Sequence, residues 1–155
     1  MVGAHGDLVV PDEHCSAQSP SGINELIVTN TRKGIIMEIA VWAVSGLIAL
    51  AMGAAGTVKI ITPREKLVGM QPWAADFSST QVTLIGAVEV LGAIGLILPR
   101  LLDIAPILSP IAAVGFILVH SVAIRVHGRR KESFVPNIVF ILFAGFVATA
   151  GFLGY

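Results

Sequence analysis

Hydrophobic residues in this chain gather into four runs, at residues 38–58, 80–98, 104–124 and 136–155, separated by short polar stretches. Each run is close to the roughly 20 residues that cross a hydrocarbon core about 30 Å thick. The pattern predicts four transmembrane helices. Pro99 is expected to end the second run, and the connector behind it, residues 100–103, is too tight for anything but antiparallel neighbours. Pro106 and Pro110 fall in the first two turns of the third run, where a missing amide N–H is least costly. Because lipid forces backbone polar groups to be satisfied within the segment, the expected architecture is all-α, four antiparallel transmembrane helices in an up-and-down bundle.

Residues 1–36 have a different character. They are polar and rich in turn formers, and they lack the basic start and apolar core of a secretory signal. They read as a disordered external tail ahead of a transmembrane domain at 37–155. A sharper expectation is that translation starts at Met37, since Arg32, Lys33 and Gly34 just before it can be encoded by a purine-rich ribosome-binding stretch.

Composition strengthens the membrane reading. Of 155 residues, 55% are hydrophobic and 13% charged, against about half and about a quarter in soluble domains. Mean hydropathy is +0.85. Ten basic and ten acidic residues cancel, so no basic field points to nucleic acid. No Gly-rich phosphate loop, zinc spacing or cofactor motif is present. Cys15 is the single cysteine; it can form no internal disulfide and lacks the small-residue context of a lipid-anchored cysteine. The bilayer is the expected partner, with other membrane proteins or a second copy of the chain as protein partners.

Basic residues orient the helices. Lys59, Arg64 and Lys66, with Arg125, Arg129, Arg130 and Lys131, fall on one side, and Arg100 with Arg32 and Lys33 on the other. This distribution places residues 59–79 and 125–135 in the cytoplasm and both termini outside, in a bacterial inner membrane.

Candidate chemistry starts at Glu89, an acid inside the apolar stretch LIGAVEVLGAIGLILP. An ionisable group at membrane depth is a functional-site hypothesis. At three- and four-residue spacing it shares a face with Gly86, Gly92 and Ala93. In the first helix Gly46, Ala49, Gly53 and Gly56 form a similar stripe, continued by Lys59. Small residues so spaced let helices approach closely in lipid, and the simplest packing sets the two stripes together with Glu89 directed inward. Lys59 reads first as a snorkelling anchor and second as an ion-pair partner for Glu89. In the third helix His120 lies on a stripe with Ala113, Phe116, Ala123 and His127. The two histidines stand about 10 Å apart along the axis, too far for one metal, and no metal site is expected. Trp73 reads as an interfacial aromatic anchor, and His127 with its basic neighbours as part of the orientation signal.

A charged residue at a membrane helix centre costs about 2.5 to 3.5 kcal/mol. Holding a glutamate neutral at pH 7 costs roughly 3.7 kcal/mol. These magnitudes leave both protonation states of Glu89 open.

A wider pattern carries a family resemblance. Pro72-Trp73, then Asp76-Phe77-Ser78, then the segment from Ile85 to Pro99 resemble the DoxX-like family of small four-helix membrane proteins. Ala55-Gly56 with Lys59, Ser109-Pro110 with Ala112-Ala113, and Ala123 with His127, Arg129, Arg130 and Glu132 extend the resemblance over residues 37–155. Two features depart from the family pattern: Phe152, not arginine, follows Gly151, and His120 has no obvious family counterpart. The resemblance implies a membrane protein whose relatives are linked to thiol and oxidant stress complexes, quinone-linked oxidation and assembly of other membrane proteins.

Three functional readings follow. The first is a membrane component or assembly partner of a larger redox or stress-linked system, with glycine faces packing helices and Lys59 with Glu89 setting their register. The second is a membrane-embedded enzyme on a quinone- or terpenoid-like molecule, with Glu89 as acid or base and His120 or His127 assisting. The third, a small transporter, has less support, since one acid without a broken helix pair makes a meagre pathway.

Overall fold

A computed structural model of the chain describes residues 20–155. Among these, α1 (Pro20–Ile61), α2 (Arg64–Met70), a short 3-10 helix (Pro72–Asp76), α3 (Ser79–Leu101), α4 (Leu108–Arg129) and α5 (Val135–Phe152) make an all-helical fold without strands. Helices α1, α3, α4 and α5 are long and apolar enough to cross a membrane. The chain divides into two units, Met1–Lys33 and Gly34–Tyr155, and the bundle lies in the second. Residues 1–19 of the expected tail, Cys15 included, lie outside the described residues, and residues 20–36 are helical.

Helix boundaries follow from local chemistry. Ser78 Oγ accepts from the Gln81 amide at 3.2 Å, and Gln81 Oε1 accepts from the Ser78 amide at 2.9 Å. This capping box satisfies two orphan donors at the start of α3. Pro99 does not stop α3, which runs two residues further to Leu101. A proline this near the end removes one amide without undoing the last turn. The following residues close the helix: Ile104 N–H donates to Pro99 O and Asp103 N–H to Arg100 O, with Asp103 at φ 53°. Helix α4 ends the same way at Lys131 (φ 57°), where Glu132 N–H donates to His127 O, and α5 at Gly154 (φ 87°). All three are Schellman closures, which need a left-handed residue just past the helix.

Packing inverts the habit of a soluble protein. Ser45, Lys59, Glu89, Ser109 and His120 are buried, while Leu50, Leu91, Leu118 and Leu142 are each more than 60% exposed. Side chains arranged so are suited to a hydrocarbon surround, which solvates leucine and not lysine. The main core joins Ile48 and Met52 of α1 to Leu96 of α3, Phe116 of α4 and Val147 of α5. A smaller core, Leu67, Ala74 and Val82 with Trp73 and Phe77 against it, fastens α2 and the 3-10 helix to the start of α3.

Candidate functional site

The site begins with two glycines. A Cβ on Gly56 would lie 2.5 Å from Gly86 O, and a Cβ on Gly86 2.6 Å from Gly56 O. Only residues without a side chain permit this crossing of α1 and α3. Lys59 and Glu89 each stand three residues beyond their glycine, on the same helix face. The crossing that sets Gly56 on Gly86 therefore sets Lys59 beside Glu89. Lys59 Nζ donates to Glu89 Oε1 at 2.8 Å and to Oε2 at 2.7 Å, with both side chains 8% exposed. Charge-assisted bonds of this length to both oxygens are the strong kind.

Not every small residue joins that contact. A Cβ on Gly53 would lie 3.8 Å from the Ala93 Cβ, whereas a Cβ on Gly46 would meet nothing within 4 Å beyond its own stretch of helix backbone. Gly92 receives the Phe116 ring of α4, whose nearest atom would lie 2.8 Å from a Cβ there. The face around Glu89 thus serves two neighbours, α1 through Gly86 and Ala93, and α4 through Gly92.

The loop after α1 folds over this pair. The 3-10 helix puts the Trp73 ring centroid 5.8 Å from Lys59 Nζ, within cation–π range. Trp73 packs edge-on against Phe77 and against His127 of α4, at 5.8 and 6.4 Å between centroids. Arg64 Nη2 donates to the carbonyls of Ala75 and Phe77, each at 3.1 Å. From the α4 end, Arg130 donates 2.7 Å bonds to Asp76 Oδ1 and Glu132 Oε1, while Glu132 Oε2 lies 2.8 Å from His127 Nδ1. The Arg130 bond holds the Glu132 carboxyl below its ordinary value of 4.5, with His127 adding to the effect. The bonds to Glu132, then Asp76, in turn raise the Arg130 guanidinium above its ordinary value. The Schellman closure at Lys131 makes this network possible, because it turns Glu132 back onto His127.

His120 sits deeper on the same α4 face and is buried. Its ring lies between Phe116 and Phe140, at 6.3 and 5.1 Å between centroids. Nδ1 is 2.9 Å from Phe116 O.

Lys59, Trp73, Glu89, His120 and His127 line a single cavity of about 640 Å³. Met52, Ile85, Val119 and Phe140 supply apolar wall, and Gln71, Ser133 and Asn137 add polar side chains. The volume lies within the usual range for small-molecule sites, roughly 300 to 1,000 Å³, and mixed apolar walls with a few converging polar groups are typical of them. Among the described residues no group of three or more His, Cys, Asp or Glu side chains is placed to hold a metal ion.

The sequence pointed to the histidines, the acid and the lysine, but it marked Arg64 only as part of the orientation signal and Asp76 and Glu132 only as part of the family resemblance, with no bonding partner for any of the three. Ser78 and Gln81, spaced as a capping box, were the readable signal that a helix starts just beyond Asp76.

Four long apolar helices, with an ionic pair and two histidines around a common cavity, define a multi-pass helical membrane protein with a polar internal site. A sequence model of the DoxX-like family matches residues 43–153, and the chain belongs to that family. No curated protein and no solved structure matches it.

Proposed function

We propose that this chain holds a lipophilic small molecule with one polar end in the cavity before Glu89, and that Lys59, Glu89 and His120 meet the polar end. The cavity of about 640 Å³ carries the reading, because its apolar wall and converging polar groups are those of a small-molecule site. A carboxylate can take up a proton and an ammonium can release one, so the pair suits acid–base work on a bound quinone- or terpenoid-like molecule. Glu89 is then the acid or base, and the activity is that of a membrane-embedded enzyme. One observation favours the component or assembly-partner reading as the second choice: both Glu89 oxygens already bond to Lys59, as a register device between α1 and α3 requires. The meeting of Arg130 with Asp76 gathers the basic loops at one end. Their charge supports a cytoplasmic position for residues 59–79 and 125–135 in a bacterial inner membrane.

The test is mass spectrometry of small molecules carried by protein extracted in native lipid. Wild-type protein should carry a non-phospholipid in near-stoichiometric amount. The double variant Lys59→Met/Glu89→Leu, which removes both charges together, should insert and fold but lose it. Wild-type protein carrying bulk lipid alone would refute the ligand reading. A double variant that folds but no longer assembles with other membrane proteins would favour the component.

A further inference from the structure

The hydrogen-bonding state of His120 can be worked out atom by atom. Nδ1 meets the carbonyl of Phe116 at 2.9 Å, and a carbonyl oxygen only accepts, so Nδ1 carries the proton. A neutral imidazole has one N–H, which leaves Nε2 as an acceptor. With Phe116 and Phe140 against the ring and, among the described residues, no carboxylate bonded to either nitrogen, nothing there holds a second proton. No protein group among the described residues donates to Nε2. Among the described residues, Ser109 Oγ is the sole fully buried side-chain N or O atom lacking a partner. Nε2, also without one, therefore keeps an opening, and His120 lines the cavity.

The other deep polar groups lean the same way. Glu89 accepts one bond at each oxygen and keeps further lone pairs, while Lys59 has spent two of its three donors on it. The inner part of the cavity offers acceptors and is short of donors. Gln71, Ser133 and Asn137 can both donate and accept, so they do not discriminate.

We infer that the molecule held here is an apolar alcohol or phenol whose O–H donates to His120 Nε2, an assignment that rests on the ligand reading above. A ketone, ether, ester or oxidised quinone brings only acceptors to its polar end and sets a lone pair against that of Nε2. Among quinone-like molecules the reduced, hydroxyl-bearing form is therefore the one that fits. A site built to bond a hydroxyl rejects the analogue without it, because the buried acceptor is then left unpaired.

The test uses two probes that share a ring and chain, para-octylphenol and its methyl ether para-octylanisole. Full-length protein in lipid nanodiscs carries Trp42→Phe, so that Trp73, at the cavity wall, is the single tryptophan reporter. Saturable changes in its emission give both affinities. The phenol should bind at least about tenfold more tightly than the ether, the scale of one hydrogen bond inside a low-dielectric site. His120→Phe keeps an aromatic ring between Phe116 and Phe140 and should bring the two affinities together. Equal affinities in the protein with His120 intact overturn the hydroxyl assignment and leave the ligand reading standing. A phenol preference that survives His120→Phe overturns the role of His120. Absence of saturable binding by either probe overturns both readings.

Discussion

Breaking the Lys59–Glu89 pair from one side should cost far more than removing it whole. The two N–O distances, 2.7 and 2.8 Å, correspond to an attraction of about 6 kcal/mol at an effective dielectric of about 20. Against it stands the desolvation of both ions, several kcal/mol each, so the net worth of the intact pair is small. Removing one partner discards the attraction and leaves the other charge buried. Glu89→Leu and Lys59→Met should therefore each destabilise the bundle by about 3 to 5 kcal/mol, while the double variant should lie within about 2 kcal/mol of wild type. The interaction energy from this cycle should be several kcal/mol. Unfolding by sodium dodecyl sulfate in mixed micelles, followed by circular dichroism, measures all four proteins. Single variants that each lose under about 1 kcal/mol, or a double variant equal to their sum, would show that the two charges do not depend on each other.

The glycines give a contrast within one helix. Gly56→Ala should cost about 1 to 3 kcal/mol, since its Cβ would lie 2.5 Å from a backbone oxygen, whereas Gly46→Ala should cost nothing or stabilise, its Cβ meeting nothing within 4 Å beyond its own helix backbone; equal effects in the same unfolding assay would contradict the crossing at Gly56. Asp76→Asn should raise amide hydrogen exchange across residues 72–77 and leave α3 to α5 unchanged, because this side chain ties the 3-10 helix to Arg130 at the end of α4; exchange that stays as in wild type would argue against the tie. The Glu132 carboxyl sits below its ordinary value of 4.5, so its contribution is complete above that value and is lost as pH falls through the lowered one. Exchange protection at the end of α4, corrected for intrinsic rates, should hold from neutral pH to about 5 and drop below about 4.5. Protection already lost in the range just below neutrality would remove Glu132 as the cause.

Much of this molecule was readable from periodicity. Spans of about twenty apolar residues, the small-residue face around Glu89 and the His120 stripe on α4 are local patterns, repeated at the helical spacing, and need no knowledge of a partner. Even so, the boundaries moved. Pro99 lies inside α3, and α4 starts at Leu108, not near residue 104, with Ala105 in the left-handed region at φ 48° in the connector. The loop after α1 holds two short helices where polarity suggested only a connection, since the buried contacts of Leu67 and Ala74 depend on a distant partner, Val82.

By itself, then, the sequence determined a four-span helical membrane protein and the faces on which its polar residues lie, because helix period and hydropathy are properties of neighbouring residues. Only the tertiary structure decided that Gly56 meets Gly86 while Gly46 meets nothing, that Lys59 closes on Glu89, and that Trp73 lines a cavity shared with two histidines. Those outcomes depend on where two helices cross, and a crossing point is set by the steric fit of both surfaces at once, which a linear pattern on either helix does not contain.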